Sequence, residues 1–268
     1  MTYTSDVLEG VPTGLLLGGE WVASHRTLDV ADPATGHLLA RVADATAVEA
    51  LDAVAAAHTA FESWAAAAPR VRAEVLRRAY EIMSSELEQC ARLIVLENGK
   101  AWSDAIGEAA YAAEFFRWFS EEASRIAGDF RRSPGGDKTI IVDHQPMGVA
   151  YMITPWNFPA AMATRKLAPA LAAGCTAVLK PAAETPLTAL WVAEVLHRAG
   201  VPGGVVNVIT TSEPGPVSEA VLADRRTATL SFTGSTAVGK LLLGLTAQRA
   251  LPSSMELGGN APLLVLEG

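Results

Sequence analysis

Cysteine is scarce in this chain: Cys90 and Cys175 are the only two in 268 residues. Two thiols cannot make a disulfide framework, so the expected compartment is a reducing one. The five histidines, His25, His37, His58, His144 and His197, stand far apart without paired ligand spacing, and no metal site is expected. Long apolar runs are missing too. None approaches the roughly 18 residues of a membrane-spanning helix. The opening "MTYTSDVLEG" lacks a basic region followed by an apolar one, so the expected location is cytoplasmic, with no membrane partner. Positive charge is thin and scattered: 21 Lys and Arg against 29 Asp and Glu give a formal net charge of −8. Without a basic cluster, nucleic acid and anionic membrane surfaces are poor partners.

What the chain has is apolar residues, 50% of the total, enough for the core of one large domain or two smaller ones. Residues 11–42 carry strand-and-turn chemistry: Gly18-Gly19 within "GLLLGGEWV" reads as a hairpin turn, and "DPATG" (Asp32 to Gly36) as another turn. From Thr46 to about Ile126 apolar residues recur at helical spacing. Thr46 with Glu49 resembles a capping box, while Pro69 and Asn98-Gly99 punctuate the run. "RRSPGGDKTIIVDHQPMGVAYMI" offers two extended segments either side of Pro146, and Thr139 to Asp143 are expected to protrude and pair with another subunit.

Beyond that excursion, strands alternate with helices: "GVAYMIT", a helix over 160–173, "CTAVLK", a helix over 186–199, "GVVNVI", a short helix near 217–222, "ATLSFT", a helix from Thr236, and "SSMEL". The alternation predicts an α/β fold, a Rossmann-like parallel sheet with helices on both faces, joined to N-terminal helices and a β-hairpin excursion. Ligands of such sheets bind beyond the carboxyl ends of the strands. Four polar clusters follow strands: Thr154-Pro155-Trp156-Asn157-Phe158-Pro159, Lys180-Pro181-Ala182-Ala183-Glu184-Thr185-Pro186, Thr233-Gly234-Ser235 and Glu256-Leu257-Gly258-Gly259-Asn260. Each on its own also suits an ordinary turn or cap. The third begins a false phosphate-binding loop: Gly234 and Gly239-Lys240 have the spacing, but Leu241 stands where a magnesium-holding hydroxyl is needed.

Taken in order, "PWNFP", "LKPA" with a following "TP", "FTGSTAVGK" and "MELGGNAP" resemble the aldehyde dehydrogenase superfamily from about Leu16 to Gly268. "PWNFPAAMATRK" and "ELGGNAP" look most like succinate-semialdehyde dehydrogenases. The resemblance implies oxidation of an aldehyde with NADP or NAD, and four segments. These are 1–130, an N-terminal part of the cofactor-binding domain; 131–148, an oligomerisation hairpin; 149–256, the Rossmann-like core; and 257–268, the start of a catalytic domain. It implies Asn157 as oxyanion donor, an effect worth about 3 to 4 kcal/mol per donor, and Glu256 as general base. Thr154, Pro155, Trp156, Lys180, Ala182, Ala183, Gly215, Phe232, Thr233, Gly234, Ser235, Val238 and Leu257 fall at cofactor-cleft positions. For Trp156 and Phe232 core packing is an equal alternative, and Ser235 is also a natural N-cap. Arg165 matches the arginine that holds a substrate's distal carboxylate.

Two departures from the family pattern change these expectations. Ala183 stands where NAD-preferring members often carry Glu, which leaves room for a 2′-phosphate and favours NADP, although Glu184 is adjacent. The family's nucleophilic cysteine lies a few dozen residues past the "ELGG" glutamate. Cys90 falls in a helical segment and Cys175 opens an apolar strand, so neither substitutes for it. The 268-residue chain is therefore expected to be inactive alone, or to act as a non-catalytic dinucleotide-binding or scaffold module. A last strand, "APLLVLE", is expected to be uncovered and to promote association, and a homo-oligomer is expected at full length.

Overall fold

The computed structural model describes residues 6–266. The chain opens with a hairpin, β1 (Leu15–Leu17) and β2 (Glu20–Val22), paired antiparallel. Gly18 and Gly19 close it at φ +65° and +97°, a pair of left-handed conformations that other residues resist and that match the strands' twist. A second antiparallel pair follows, β3 (Thr27–Ala31) with β4 (Leu38–Ala43). Four helices then run consecutively: α1 (Ala47–Ala66), α2 (Pro69–Ser85), α3 (Leu87–Asn98) and α4 (Trp102–Glu122). At the start of α1 the Glu49 carboxylate accepts from the Thr46 amide at 2.7 Å and from its hydroxyl at 2.9 Å. This is the reach-back half of the capping box read from the sequence.

The excursion is a two-stranded ribbon, β5 (Asp129–Arg132) with β6 (Thr139–Val142). It starts at Asp129, and its two strands pair with each other rather than with the central sheet. Phe130 and Ile141 on it are 76% and 72% exposed.

The alternating half consists of β7 (Val149–Ile153), α5 (Pro159–Ala173), β8 (Thr176–Lys180), α6 (Pro186–Arg198), β9 (Val206–Val208), α7 (Pro214–Ala223), β10 (Thr227–Thr233), α8 (Thr236–Ala247) and β11 (Ser253–Glu256). The sheet order is β11-β10-β7-β8-β9-β1-β2. From β11 to β9 all neighbours are parallel, and β1 adds antiparallel to β9. The strands are apolar on both faces, as a sheet covered on both sides requires. Ala150 and Met152 of β7 join a core built with α2 to α6. Val149, Tyr151 and Ile153 point the other way, into a core shared with α1, α7 and α8.

One expectation fails. Residues 257–266 form no strand and pair with none of the described strands, and Leu263, Leu264, Val265 and Leu266 are 85–87% exposed. β propensity does not hold a strand without a neighbouring backbone to bond. The outermost residues of the first and last sequence segments, 1–5 and 267–268, lie outside the described residues. Among the described residues no helix is long and apolar enough to cross a membrane, and no group of three His, Cys, Asp or Glu could hold a metal.

Candidate active site

Because β7, β10 and β11 are parallel neighbours, their carboxyl ends lie side by side. The loops that leave them enclose a cleft of about 540 Å³. Pro155, Trp156 and Asn157 line it from the β7 loop, Thr233, Gly234 and Ser235 from the β10 turn, and Glu256 and Leu257 from the end of β11. Asn157 and Glu256, separated by 99 positions in the chain, thus face one space. The Asn157 side-chain amide has no hydrogen-bond partner among the described residues, so both of its N–H groups are unpaired.

Glu256 is half-exposed and has a partner on each oxygen: Arg165 Nη1 lies 3.3 Å from its Oε1, and the Thr233 hydroxyl donates to Oε2 at 3.3 Å. The carboxylate stands between two spaces. Behind the cleft is a cavity of about 590 Å³ lined by Arg165, Lys166, Cys175, Ser231 and Glu256 among others. Lys166 Nζ donates to the Ser231 hydroxyl at 2.8 Å. Burial pulls the Lys166 ammonium down to about 8, with Glu256 opposing that shift. Neither cysteine lines the cleft. Cys90 is fully buried and burial drives its thiol well above the usual range, while Cys175 opens onto the rear cavity.

The β10 turn is set by packing from below. A Cβ on Gly234 would fall 2.6 Å from Cζ of Phe232, whose ring is 4% exposed and belongs to the core. Phe232 is therefore a support that keeps residue 234 side-chain-free. The Gly234 amide donates to the Glu256 carbonyl at 3.1 Å, tying the turn to β11. Ser235 then caps α8, its hydroxyl oxygen accepting from the Val238 amide at 3.3 Å. The Thr236 and Ala237 amides have no acceptor among the described residues, and the first turn of α8 carries no acid. Free N–H groups and the positive end of the helix dipole fit a phosphate-bearing cofactor without a metal.

The remaining candidates lie around this cleft rather than in it. Thr154 is buried, its amide donating to the Lys180 carbonyl at 3.2 Å. Lys180 is 6% exposed and donates through Nζ to the Pro181 carbonyl at 3.0 Å; burial lowers its ammonium to about 8, against the pull of Glu184. Ala182 and Ala183 are half-buried, and Gly215 and Val238 are exposed. Three further residues line the cleft that the sequence motifs contain without pointing to a role for them: Phe158, Met162 and Gly258. An aromatic two residues after Trp156 inside a Pro-flanked loop was the available signal for Phe158.

The loops are also braced from the helical half. Pro159 and Pro186 start α5 and α6 without side-chain caps of their own. Buried carboxylates from far away do that work: Glu108 accepts from the Ala160 and Ala161 amides at 3.0 and 3.3 Å, and Glu97 from the Leu187 and Thr188 amides at 2.7 and 2.8 Å. Burial raises the Glu97 carboxyl to about 7 despite those bonds.

The aldehyde dehydrogenase family matches residues 21–268, which includes every element from the second half of β2 onward. This chain belongs to the aldehyde dehydrogenase family. A succinate-semialdehyde dehydrogenase of Paenarthrobacter nicotinovorans is 52% identical over 230 residues, covering 86% of this chain and 51% of that protein. A 3-sulfolactaldehyde dehydrogenase of Pseudomonas putida is 47% identical over 253 residues, covering 94% and 52% respectively. The crystal structure of an E. coli NADP-dependent enzyme superposes with a TM-score of 0.92 at 45% identity, over 96% of this chain and 53% of that one. The chain thus spans about half the length of these relatives.

Proposed function

We propose that this chain is the cofactor-binding half of an NADP- or NAD-dependent aldehyde dehydrogenase acting on a semialdehyde, succinate semialdehyde in the first instance. One observation carries the reading: an unbonded amide, Asn157, and a solvent-reachable carboxylate, Glu256, share a cleft with a free helix N-terminus. Asn157 donates to the aldehyde oxygen as negative charge gathers on it, which stabilises that charge by about 3 to 4 kcal/mol. Glu256 takes a proton from the water that releases the acid. When bound, NADP or NAD supplies the hydride acceptor. The α8 amides and Ser235 hold its phosphates, Lys180 and Ala183 shape the ribose end, and the missing acid at 183 admits a 2′-phosphate. Arg165, whose guanidinium has donors beyond the one facing Glu256, receives the distal carboxylate.

The oxidation needs a thiolate, and no cysteine of these residues faces the cleft. The nucleophile comes from sequence outside the 268 residues, and the exposed β5–β6 ribbon serves subunit pairing. Isothermal titration of the chain with NADP+ and NAD+, followed by an NADPH-formation assay with succinate semialdehyde, tests this. Saturable cofactor binding without turnover is the expected result. Absence of saturable binding to both cofactors would refute the reading.

A further inference from the structure

Asn98 and Lys100 lie on the corner between α3 and α4, where the sequence shows only a helix stop. In the folded chain this corner abuts the β7 loop. Asn98 Nδ2 donates to the carbonyl of Trp156 at 2.8 Å, and Lys100 Nζ donates to the carbonyl of Asn157 at 2.8 Å. Those are consecutive carbonyls, reached from 58 and 57 positions away. A peptide unit is planar, so fixing its carbonyl fixes its whole plane. The first bond fixes the plane before the Asn157 Cα and the second fixes the plane after it. With both peptide units restrained, the direction of the Asn157 Cα–Cβ bond is held, which limits the carboxamide to the rotamers that start from that bond.

Lys100 is itself confined. Its ammonium pairs with the buried Glu108 carboxylate and sits 3.9 Å from the centre of the Phe158 ring, and its side chain is only 13% exposed. Glu108 in turn receives the first amides of α5, so the anchor is continuous with the helix that follows the loop. One of the two donors is a nearly buried cation, whose bond to a carbonyl is stronger than a neutral one.

The geometry points to Asn98 and Lys100 as positioning residues that aim the Asn157 amide into the cleft. The inference rests on the functional reading above for what Asn157 does once aimed, but the restraint itself is measurable without cofactor or aldehyde. Backbone 15N order parameters of the 268-residue chain provide the measurement, because the amide of Asn157 reports the first plane and that of Phe158 the second. In the wild type both are expected near 0.85, the value of rigid backbone. The Trp156 carbonyl also accepts from the Thr185 hydroxyl at 3.4 Å, so Asn98→Ala combined with Thr185→Val should drop the Asn157 amide below about 0.6 and leave Phe158 ordered; Lys100→Met should do the reverse.

Lys100→Met also strands the buried Glu108 charge and could unfold the chain. The double variant Lys100→Met, Glu108→Gln removes that charge while keeping an acceptor for the α5 amides. Lys100→Arg should restore order at Phe158. As a control for general loosening, Leu93→Ala weakens the same helical core and should leave both amides rigid. The inference is overturned if the two amides stay at wild-type order in the folded variants, or if Leu93→Ala loosens them equally. Failure of the NADP+ titration would sink the functional reading without altering this result.

Discussion

Replacing Gly234 by alanine tests whether the core beneath the β10 turn dictates the cleft. The new Cβ would lie 2.6, 3.1 and 3.3 Å from Cζ, Cε2 and Cε1 of Phe232. Carbon atoms rest comfortably at about 3.5–4.0 Å, so the ring or the turn must retreat by about 1 Å. The ring cannot swing into solvent, being 4% exposed within the core shared with α1, α7 and α8. If it yields inward, overpacking costs about 1–3 kcal/mol. If the turn lifts instead, it loses the bond from the Gly234 amide to the Glu256 carbonyl, about 1 kcal/mol, and carries Ser235 with it. Phe232→Leu separates this clash from a general effect, because leucine lacks all three ring atoms in question. Urea denaturation of the wild type, both single variants and the double variant forms a thermodynamic cycle. Gly234→Ala should destabilise by about 2 kcal/mol in the Phe232 background and by almost nothing in the Leu background. The coupling is then about 2 kcal/mol in the direction of rescue. NADP+ titration of the same four proteins should show weaker binding for Gly234→Ala, about tenfold for each 1.4 kcal/mol that falls on the turn, and recovery in the double variant. Additivity within about 0.5 kcal/mol would refute the argument that Phe232 forbids a side chain at 234.

Gly239→Ala offers the contrast: its Cβ meets Leu257 Cδ2 at 2.5 Å, the far end of a flexible side chain, and sits inside α8. Relief of the glycine penalty of about 1 kcal/mol should leave stability unchanged or higher in a thermal melt, and a loss above about 1 kcal/mol would count against it. Glu97 predicts a pH effect. Its carboxyl in the folded chain is raised to about 7 from 4.5, so between those values the folded state keeps a proton that the unfolded state has lost. Stability contributed by this group therefore falls as pH rises across that window, by about 3 kcal/mol in all. The difference in unfolding free energy between wild type and Glu97→Gln should slope accordingly from acid to neutral pH, and parallel curves would show that Glu97 is ionised throughout. Asn207 is buried, donates to the carbonyls of Gly204 and Ala177 at 2.7 and 3.3 Å, and accepts from the Gly18 amide at 2.9 Å. Asn207→Ala leaves those groups unpaired and should cost about 3 kcal/mol in urea denaturation, with an effect below 1 kcal/mol contradicting the network.

Much of the architecture could be read from order alone. Strands β7 to β11 and helices α5 to α8 fall where apolar runs alternate with capped or proline-led helical stretches, because both signals are local: side-chain period within an element and turn chemistry between elements. The rule that parallel sheets bind at their carboxyl ends then put Asn157, Gly234, Ser235 and Glu256 in one neighbourhood before any coordinates. The same local logic predicts a strand at "APLLVLE", and residues 261–266 do not form one. Its composition favours a strand, but a strand is made by its neighbour, and none of the described strands pairs with it.

The sequence by itself determined the elements, their order and the residues at the strand ends, since each is encoded within a few positions along the chain. Only the folded chain decided what holds those residues in place. Glu97 and Glu108 cap helices 90 and 52 positions away, and Asn98 and Lys100 reach a loop 57 to 58 positions away. Such contacts depend on how helices and sheet are juxtaposed, and no periodicity along the chain records that.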